Sequence, residues 1–331
     1  MRNAMNRRNF LQLGLTAGAA AMLPFAADAQ AEKPGEKDSG KLADKPSEKP
    51  AQPHAEAAVT PIKTTKLADN VFLLQGEGGN MALQTGPDGN ILIDSSFAPA
   101  VPRILEAIAP LSKVPADAPG ILINTHWHTD HTGGNEGMYE AGYTIFAHQN
   151  VRVRLSTPQT MALFQRTIMP AMQGAWPTIT FEHEMRIWHN GDSLDLVHFE
   201  PAHTDGDIFI HFKTPDILHV GDIWFNGMYP FIDEGAGGSI GGMIRAGEKV
   251  LSVADSGTKI IPGHGPLGTK ADFLGYRNML LAVREKVAAL KTAGASQEET
   301  IAKKPTAEFD AAWGKGFMNA DTFTGIVYRT H

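Results

Sequence analysis

The sequence predicts a layered α/β (α+β) sandwich, and three observations lead to this fold class. Short apolar runs separated by turn-forming residues recur from residue 71 onward, as expected of strands joined by tight connections. Segments with apolar residues three and four positions apart, typical of amphipathic helices, follow the strands in two successive rounds. The 331 residues are 42% hydrophobic and 20% charged, which is ordinary for a chain that buries one large core.

The first 29 residues have the pattern of an export signal. Arg7 and Arg8 precede a short apolar stretch, and Ala27-Asp28-Ala29 resembles a cleavage site. The arginine pair resembles a twin-arginine signal, so we expect a periplasmic protein with no stable membrane insertion after cleavage. A retained anchor is the alternative, but a bilayer span needs about 20 apolar residues and this run is shorter.

Residues 30–61 have the composition of a disordered tether, because they are rich in lysine, glutamate, proline and alanine. The folded domain is therefore expected to cover residues 62–331. The chain has no cysteine, so any metal must be held by histidine and carboxylate side chains. The formal net charge of −7 disfavours nucleic acid, whose binding depends on phosphate neutralisation, and favours a small-molecule substrate.

The first half of the domain is predicted to contain hairpin-linked strands and then a helix. A helix from Val101 to Ile108 is indicated because Pro102 suits its first turn and Pro110 lies beyond its end. Strands are predicted at residues 71–74, 81–84, 90–94, 121–123 and 143–146, with a short helix at 135–139.

Residues 149–189 have weaker periodicity and are interrupted by prolines. They either pack as helix and loop on the core, or form a lid whose apolar side chains line a substrate pocket.

The second half repeats the pattern of strands followed by helices. Strands are predicted at residues 195–199, 208–212, 217–220 and 260–261, and a helix at 243–254. A further helix begins at Thr269, which forms a capping box with Asp272. Its predicted buried stripe consists of Phe273, Tyr276, Leu280, Val283, Val287 and Leu290.

A histidine-rich loop follows the apolar run at 121–123. In an extended segment His126, His128 and Asp130 point the same way, because side chains alternate along a strand. His131 follows directly, and the glycines after it allow the chain to turn. Four metal-competent side chains within six positions predict a metal site.

Three later residues complete this set: His203, Asp222 and His264 each lie on a loop that leaves an apolar strand. Taken singly they are weak signals, since a lone histidine is usually structural and a lone aspartate often forms a turn. Together the seven side chains suffice for two cations with open coordination positions.

The pattern His126-x-His128-x-Asp130-His131, then His203, Asp222 and His264, resembles the metallo-β-lactamase superfamily over residues 62–300. The resemblance implies a four-layer αββα sandwich with the metals at one edge. It also implies that one metal takes His126, His128 and His203, that the other takes Asp130, His131 and His264, and that Asp222 bridges them. Two Zn²⁺ are expected, with iron or manganese as alternatives.

The expected activity is hydrolysis of a carbonyl-containing bond in a small lactam, lactone, ester or thioester. Two cations about 3.5–4 Å apart make a shared hydroxide available at neutral pH, and Asp130 is expected to orient this nucleophile. The resemblance also bears on the substrate: the best-known zinc β-lactamases carry cysteine in place of Asp222 and a carboxylate-binding lysine where Phe225 stands here. The bridging aspartate is more similar to glyoxalase II and lactonases.

Asn226 and Tyr229 follow the bridging position and are candidate donors to a substrate oxyanion. Buried loop anchors are the alternative for both residues. Trp127, between two ligands, is either a pocket wall or a packed core residue.

Three other functions remain open. One is a non-catalytic exported protein that binds or scavenges zinc, and the others are phosphodiester and sulfate-ester hydrolysis on the same fold. Metal-dependent turnover of an ester, thioester and lactam panel would separate the enzymes from the scavenger.

Overall fold

The computed structural model describes residues 60–331. The predicted signal (1–29) and nearly all of the predicted tether (30–61) therefore lie outside the described residues. The strands, in chain order, are β1 (Lys63–Lys66), β2 (Val71–Gln75), β3 (Met81–Gln84), β4 (Ile91–Ile93), β5 (Gly120–Ile123), β6 (Tyr143–His148), β7 (Gln159–Met161), β8 (Arg166–Ile168), β9 (Ile179–Phe181), β10 (Glu184–His189), β11 (Asp192–His198), β12 (Ile208–Phe212), β13 (Ile217–His219), β14 (Lys259–Ile261) and β15 (Gly268–Thr269). The helices are α1 (Val101–Ile108), α2 (Thr129–Thr132), α3 (Asn135–Glu140), α4 (Gln149–Ser156), α5 (Ile240–Val253), α6 (Lys270–Thr292), α7 (Gln297–Ala302), α8 (Asp310–Trp313) and α9 (Ala320–Thr330).

The first sheet has seven strands in the order β1-β2-β3-β4-β5-β6-β9. Its first four strands are antiparallel, which confirms the predicted hairpins, with Leu73 opposite Ala82 and Ala82 opposite Ile93. From β4 to β9 the pairing becomes parallel. This change matters for the site, because parallel strands deliver their carboxyl ends to the same edge of the sheet.

The second sheet has six strands in the order β10 to β15. Neighbours are antiparallel except β13 and β14, which run parallel with His219 opposite Ile261. The hairpin β7–β8 stands apart from both sheets, with Met161 opposite Arg166.

Four layers enclose three main regions of core, one between the sheets and one on the outer face of each sheet. Apolar side chains of both sheets meet between them, for example Ile93 and Ile123 of the first with Ile210 and Ile261 of the second. On the outer faces, α1 and α3 cover the first sheet, and α5, α6 and α9 cover the second. The αββα sandwich expected from the sequence is confirmed.

The helix that begins at Thr269 shows how closely local signals were followed. Thr269 and Asp272 form the predicted capping box, and all of the predicted stripe except Leu290 is fully buried.

The sequence patterns did not indicate β1, whose Lys-Thr-Thr-Lys sequence has no apolar alternation and pairs only with the edge of β2. None of the helices in residues 60–331 combines the length and apolar character of a membrane-spanning helix.

Candidate metal centre

The predicted ligands lie where strands of both sheets end. In the first sheet, β4 and β5 run parallel with Ile93 opposite Ile123, so the chain leaves both strands at the same edge. In the second sheet, the parallel pair β13 and β14 leads to Asp222 and His264 in the same way. The fold therefore brings residues that are distant in sequence to one edge of the sandwich.

The structure gathers all seven predicted ligands into two groups. Within each group, one ligand atom per residue lies within 4.8 Å of the others, and the two groups within residues 60–331 are His126, His128, His203 and Asp222, and Asp130, His131 and His264. Asp222 contacts both. Its Oδ2 lies 3.4 Å from Nε2 of His203 and 3.5 Å from Nε2 of His264, and its Oδ1 lies 3.1 Å from Nε2 of His131. This is the geometry expected of a bridging carboxylate.

Hydrogen bonds on the far side of each ring fix which nitrogen faces the first group. His203 donates from Nδ1 to the Phe231 carbonyl (2.8 Å), and His128 donates from Nε2 to Asp233 Oδ2 (2.9 Å). The Nε2 of His203 and the Nδ1 of His128 are thereby left as lone-pair acceptors only 2.8 Å apart. Two such lone pairs repel each other unless a proton or a metal cation lies between them.

His126 gives the same indication independently. The hydroxyl of Thr125 donates to Asp94 Oδ2 (2.7 Å), so its oxygen accepts from Nδ1 of His126 (3.0 Å). The Nε2 of His126 is buried and has no hydrogen-bond partner in the described structure. A buried, unpartnered acceptor facing a carboxylate and other imidazoles fits a metal ligand. The residues present therefore fit a pair of cations.

Asp94 holds the histidine-rich loop in place. Its carboxylate accepts from the Thr125 backbone N–H (2.8 Å), the Thr125 hydroxyl and Nδ1 of His131 (2.7 Å). Asp94 adopts a left-handed backbone conformation with φ of 61°, an uncommon state that surrounding contacts must maintain. It orients His131 so that Nε2 faces the second group.

The carboxylates of the cluster carry negative charge that favours cation binding, and its histidines compete with a cation by binding protons. Burial would raise the pKa of Asp130, but His131 and His264 outweigh it and lower that pKa to about 2. Burial would lower the pKa of His264, yet Asp222 and Asp130 raise it to about 9. The carboxylates are therefore ionised at neutral pH, and a cation that binds His264 must displace a proton.

Two glycines allow the close approach of backbone to ligands. A Cβ at Gly79 would lie 2.1 Å from the His131 ring, and a Cβ at Gly263 would lie 1.9 Å from Asp222 Oδ1. Any larger residue at either position would displace a ligand.

A cavity of about 440 Å³ opens directly onto both groups. Asp130, Asp222, His128 and His264 form part of its wall, and the hairpin β7–β8 forms another part with Met161, Phe164, Arg166 and Ile168. Both hypotheses for residues 149–189 hold in part: the hairpin β7–β8 lines this pocket, whereas Val151 and Leu155 of α4 pack into the core, and β9 and β10 are strands of the first and second sheet. Phe225 also lines the cavity, and its ring stacks on the ring of His264 with centroids 5.2 Å apart.

Asn226 and Tyr229 are not among the residues that line the cavity, so the structure does not place either side chain where the predicted oxyanion role would need it. Asn226 donates its side-chain amide to the Pro266 carbonyl (2.8 Å). Tyr229 is fully buried, and its hydroxyl donates to Asp310 Oδ1 (2.7 Å). Both residues anchor the loop instead, the alternative noted above.

Several other side chains lie around the site, and the sequence patterns did not identify all of those that contact the ligands. Trp127 is buried against Val151 and Leu155 and lines a smaller neighbouring cavity, not the cavity at the metal centre. Neither ligand group includes another histidine of the described chain. Sequence patterns missed Asp94 and Asp233. Asp94 had a usable signal, because it ends a strand parallel to the one before the histidine-rich loop, whereas Asp233 had none.

Five histidines and two aspartates at one edge of an αββα sandwich form two groups that could hold metal ions, as a metal-dependent hydrolase requires. The profile of the metallo-beta-lactamase superfamily matches residues 74–293. The chain belongs to this superfamily.

Relatives and solved structures agree with this assignment. The human acyl-coenzyme A thioesterase MBLAC2 is 25% identical over 225 residues, which cover 60% of this chain and 79% of the relative, and the Gallus gallus protein is 24% identical over 211 residues, which cover 58% and 74%. A metallo-beta-lactamase from Pontibacter korlensis matches with a TM-score of 0.54 at 16% identity, covering 66% of this chain and 99% of that one. The sec-alkylsulfatase Pisa1 from Pseudomonas sp. matches with a TM-score of 0.62 at 15% identity, covering 82% of this chain and 50% of that one. The structural matches show the fold, and the family and its relatives support a metal-binding hydrolase.

Proposed function

We propose that the protein is a dinuclear zinc hydrolase that opens a carbonyl-containing bond in a small ester, thioester, lactone or lactam. The single observation that carries this proposal is the position of Asp222, which contacts both ligand groups at the floor of a cavity of about 440 Å³. Two bound cations would supply carbonyl polarisation and a hydroxide at neutral pH.

Asp130 is the residue that we assign to orient the attacking water. Its Oδ2 lies 3.1 Å from Nε2 of His264, its side chain is 26% exposed, and it lines the cavity. Because its pKa is about 2, the group is a carboxylate at neutral pH and can accept a hydrogen bond from water. A proton of the attacking water can pass to the same oxygen of Asp130 and from there to the leaving group as the scissile bond breaks.

The relatives favour thioesters within this range of substrates, because two of them carry the name acyl-coenzyme A thioesterase. The apolar walls of the cavity agree with an acyl or aryl group beside the scissile carbonyl. Phe225 adds to this apolar surface.

The test combines elemental analysis of the purified protein with a panel of lactams, lactones, oxygen esters, thioesters, phosphodiesters and sulfate esters. We expect about two zinc ions per chain and turnover of a carbonyl substrate that a chelator abolishes and added zinc restores. His128→Ala should lose both activity and metal, whereas His189→Ala, which alters a histidine outside both groups, should keep them. A metal-loaded protein that hydrolyses nothing would favour the scavenger, and turnover confined to phosphate or sulfate esters would reassign the reaction.

We also propose export through the twin-arginine route, on the basis of Arg7 and Arg8. Replacing both by lysine should shift the protein from the periplasmic to the cytoplasmic fraction of a Gram-negative host. An unchanged distribution would contradict this route.

A further inference from the structure

The walls of the cavity at the metal centre are mostly apolar. Five phenylalanines, together with Met161 and Ile168, line it, and the polar residues among its walls are the metal ligands, Thr129 and Arg166. Phe225 and Phe231 contact ligand histidines directly, with ring centroids 5.2 Å from His264 and 5.6 Å from His128. An apolar group of a substrate can therefore pack beside the cluster.

Arg166 is the one lysine or arginine that lines this cavity within the described part of the chain. It lies on β8 opposite Met161, so the hairpin directs an apolar and a cationic side chain to the same space. Several other arginines are neutralised by carboxylates, as Arg154 is by Asp205 and Arg186 by Asp195. Among residues 60–331, no carboxylate forms an ion pair with Arg166.

The two carboxylates of the cavity wall do not neutralise Arg166 either. Asp130 Oδ2 lies 3.1 Å from His264, and Asp222 Oδ1 lies 3.1 Å from His131, so both are engaged within the cluster. A guanidinium offers a planar fork of donors that matches carboxylate and phosphate oxygens. Arg166 is exposed at the edge of this cavity, where its charge is available to an anion that enters from solvent.

We infer that the substrate is an anionic amphiphile: an ester or thioester whose apolar acyl or aryl group packs against the phenylalanine wall and whose carboxylate or phosphate is bound by Arg166. This inference rests on the proposed function and narrows its substrate class. Arg166 acts in binding and does not touch the scissile carbonyl. Its loss should therefore change KM more than kcat.

The test uses three phenylacetyl thioesters with the zinc-loaded enzyme. Their thiols are N-acetylcysteamine, which is neutral, mercaptoacetate, which carries a carboxylate, and 2-mercaptoethyl phosphate. We expect at least one anionic thioester to exceed the neutral one about tenfold in kcat/KM, as a charge-assisted hydrogen bond implies. Whichever anion is preferred identifies the group that Arg166 binds.

Arg166→Gln should remove this preference by raising KM for the anionic substrate about tenfold while leaving the neutral thioester within about twofold. Arg166→Lys should retain part of the preference, because the charge remains and the fork is lost. Arg186→Gln is the matched control: it removes an exposed arginine of the second sheet that does not line the cavity, and it should change nothing.

The outcomes separate the two proposals. Zinc-dependent turnover with no preference for either anion, or an equal loss on neutral and anionic thioesters in Arg166→Gln, overturns the inference and leaves the proposed function standing. No zinc-dependent turnover of the three thioesters, with turnover of a lactam or lactone, overturns the inference alone, and no zinc-dependent turnover of any carbonyl substrate overturns both.

Discussion

The carboxylate of Asp233 lies 2.9 Å from Nε2 of His128, and the other ring nitrogen of His128 faces His203 at 2.8 Å. Asp233 thus determines which nitrogen of the histidine is available to a metal. A carboxylate in this position also makes the imidazole a stronger ligand.

Asp233→Asn should weaken metal binding about 10- to 100-fold. The carboxylate serves His128 with one oxygen and the Ala236 backbone N–H with the other, whereas an amide offers a single acceptor oxygen. Competition with a chromophoric chelator measures the affinity, with Asp195→Asn on the exposed face of the second sheet as the control. An affinity equal to that of the wild type would show that Asp233 only stabilises its loop.

Asp222→Ala should reduce kcat by about 10²–10³-fold or more, since a cation's contribution to the transition state is worth several kcal/mol. Asp222 contacts His203, His131 and His264, so the substitution removes the one carboxylate that contacts histidines of both ligand groups. Zinc content and circular dichroism should be recorded beside turnover. A variant with wild-type turnover after complete metal depletion would refute the proposed mechanism.

Ile168→Ala should extend the range of acyl chains that the enzyme accepts. Ile168 and Thr129 line both the cavity at the metal centre and a second cavity of about 230 Å³ behind it. Removing the larger side chain should join the two spaces, and each added methylene can gain about 0.8 kcal/mol. Initial rates on thioesters of increasing chain length test this. Ile179→Ala, which truncates the exposed isoleucine of β9, should keep the wild-type profile.

Tyr229→Phe should leave kcat/KM within about twofold and lower the free energy of unfolding by about 1–2 kcal/mol. Its hydroxyl donates to Asp310 (2.7 Å) and contacts the Thr306 carbonyl, and its ring stacks on Phe323. Urea unfolding and steady-state kinetics measure the two effects. A fall of more than tenfold in kcat without loss of stability would restore Tyr229 as an oxyanion donor.

Stability should decrease as the pH falls from about 6.5 toward 4, partly through His148. Burial, and then the neighbouring His198, lower the pKa of His148 to about 4. Its Nδ1 accepts from the Asn150 backbone N–H, so protonation would remove that cap of α4. The unfolded chain takes up the proton first, since its histidine pKa is higher, and the folded state loses stability across this window.

Urea unfolding of chelator-treated protein at pH 7 and pH 4.5 tests the role of His148. Because the metal has already been removed, its release does not contribute to the free energy of unfolding at either pH. His148→Gln, which removes the titrating ring, should show a smaller fall in stability than the wild type. The control His211→Gln alters a buried histidine that pairs with Asp216. An equal fall in wild type and His148→Gln would assign the pH dependence to other groups.

Local patterns determined most of the architecture. Val101 to Ile108 forms the predicted helix, with Pro102 in its first turn and Pro110 beyond its end, and Thr269 and Asp272 form the predicted cap. These signals lie within a few residues of the structure that they specify, so no tertiary contact was needed to recognise them.

The ligand set was also accessible from the sequence. The spacing of His126, His128 and Asp130 is a local signal, whereas His203, Asp222 and His264 became meaningful only as members of one ordered pattern. The family profile confirms the superfamily behind that pattern.

Only the tertiary structure decided the surroundings of the ligands. Asp233 lies 105 positions from His128 in the chain, and Arg166 lies on a hairpin outside both sheets, so neither shares a local pattern with the ligands. Asn226 and Tyr229 were misplaced for the same reason, since proximity in sequence to Asp222 does not set the direction of a side chain. A metal ligand requires a histidine or aspartate just after a strand, and this pattern can be recognised in the sequence. The partner of a side chain depends on which distant segments pack beside it, which the folded chain alone determines.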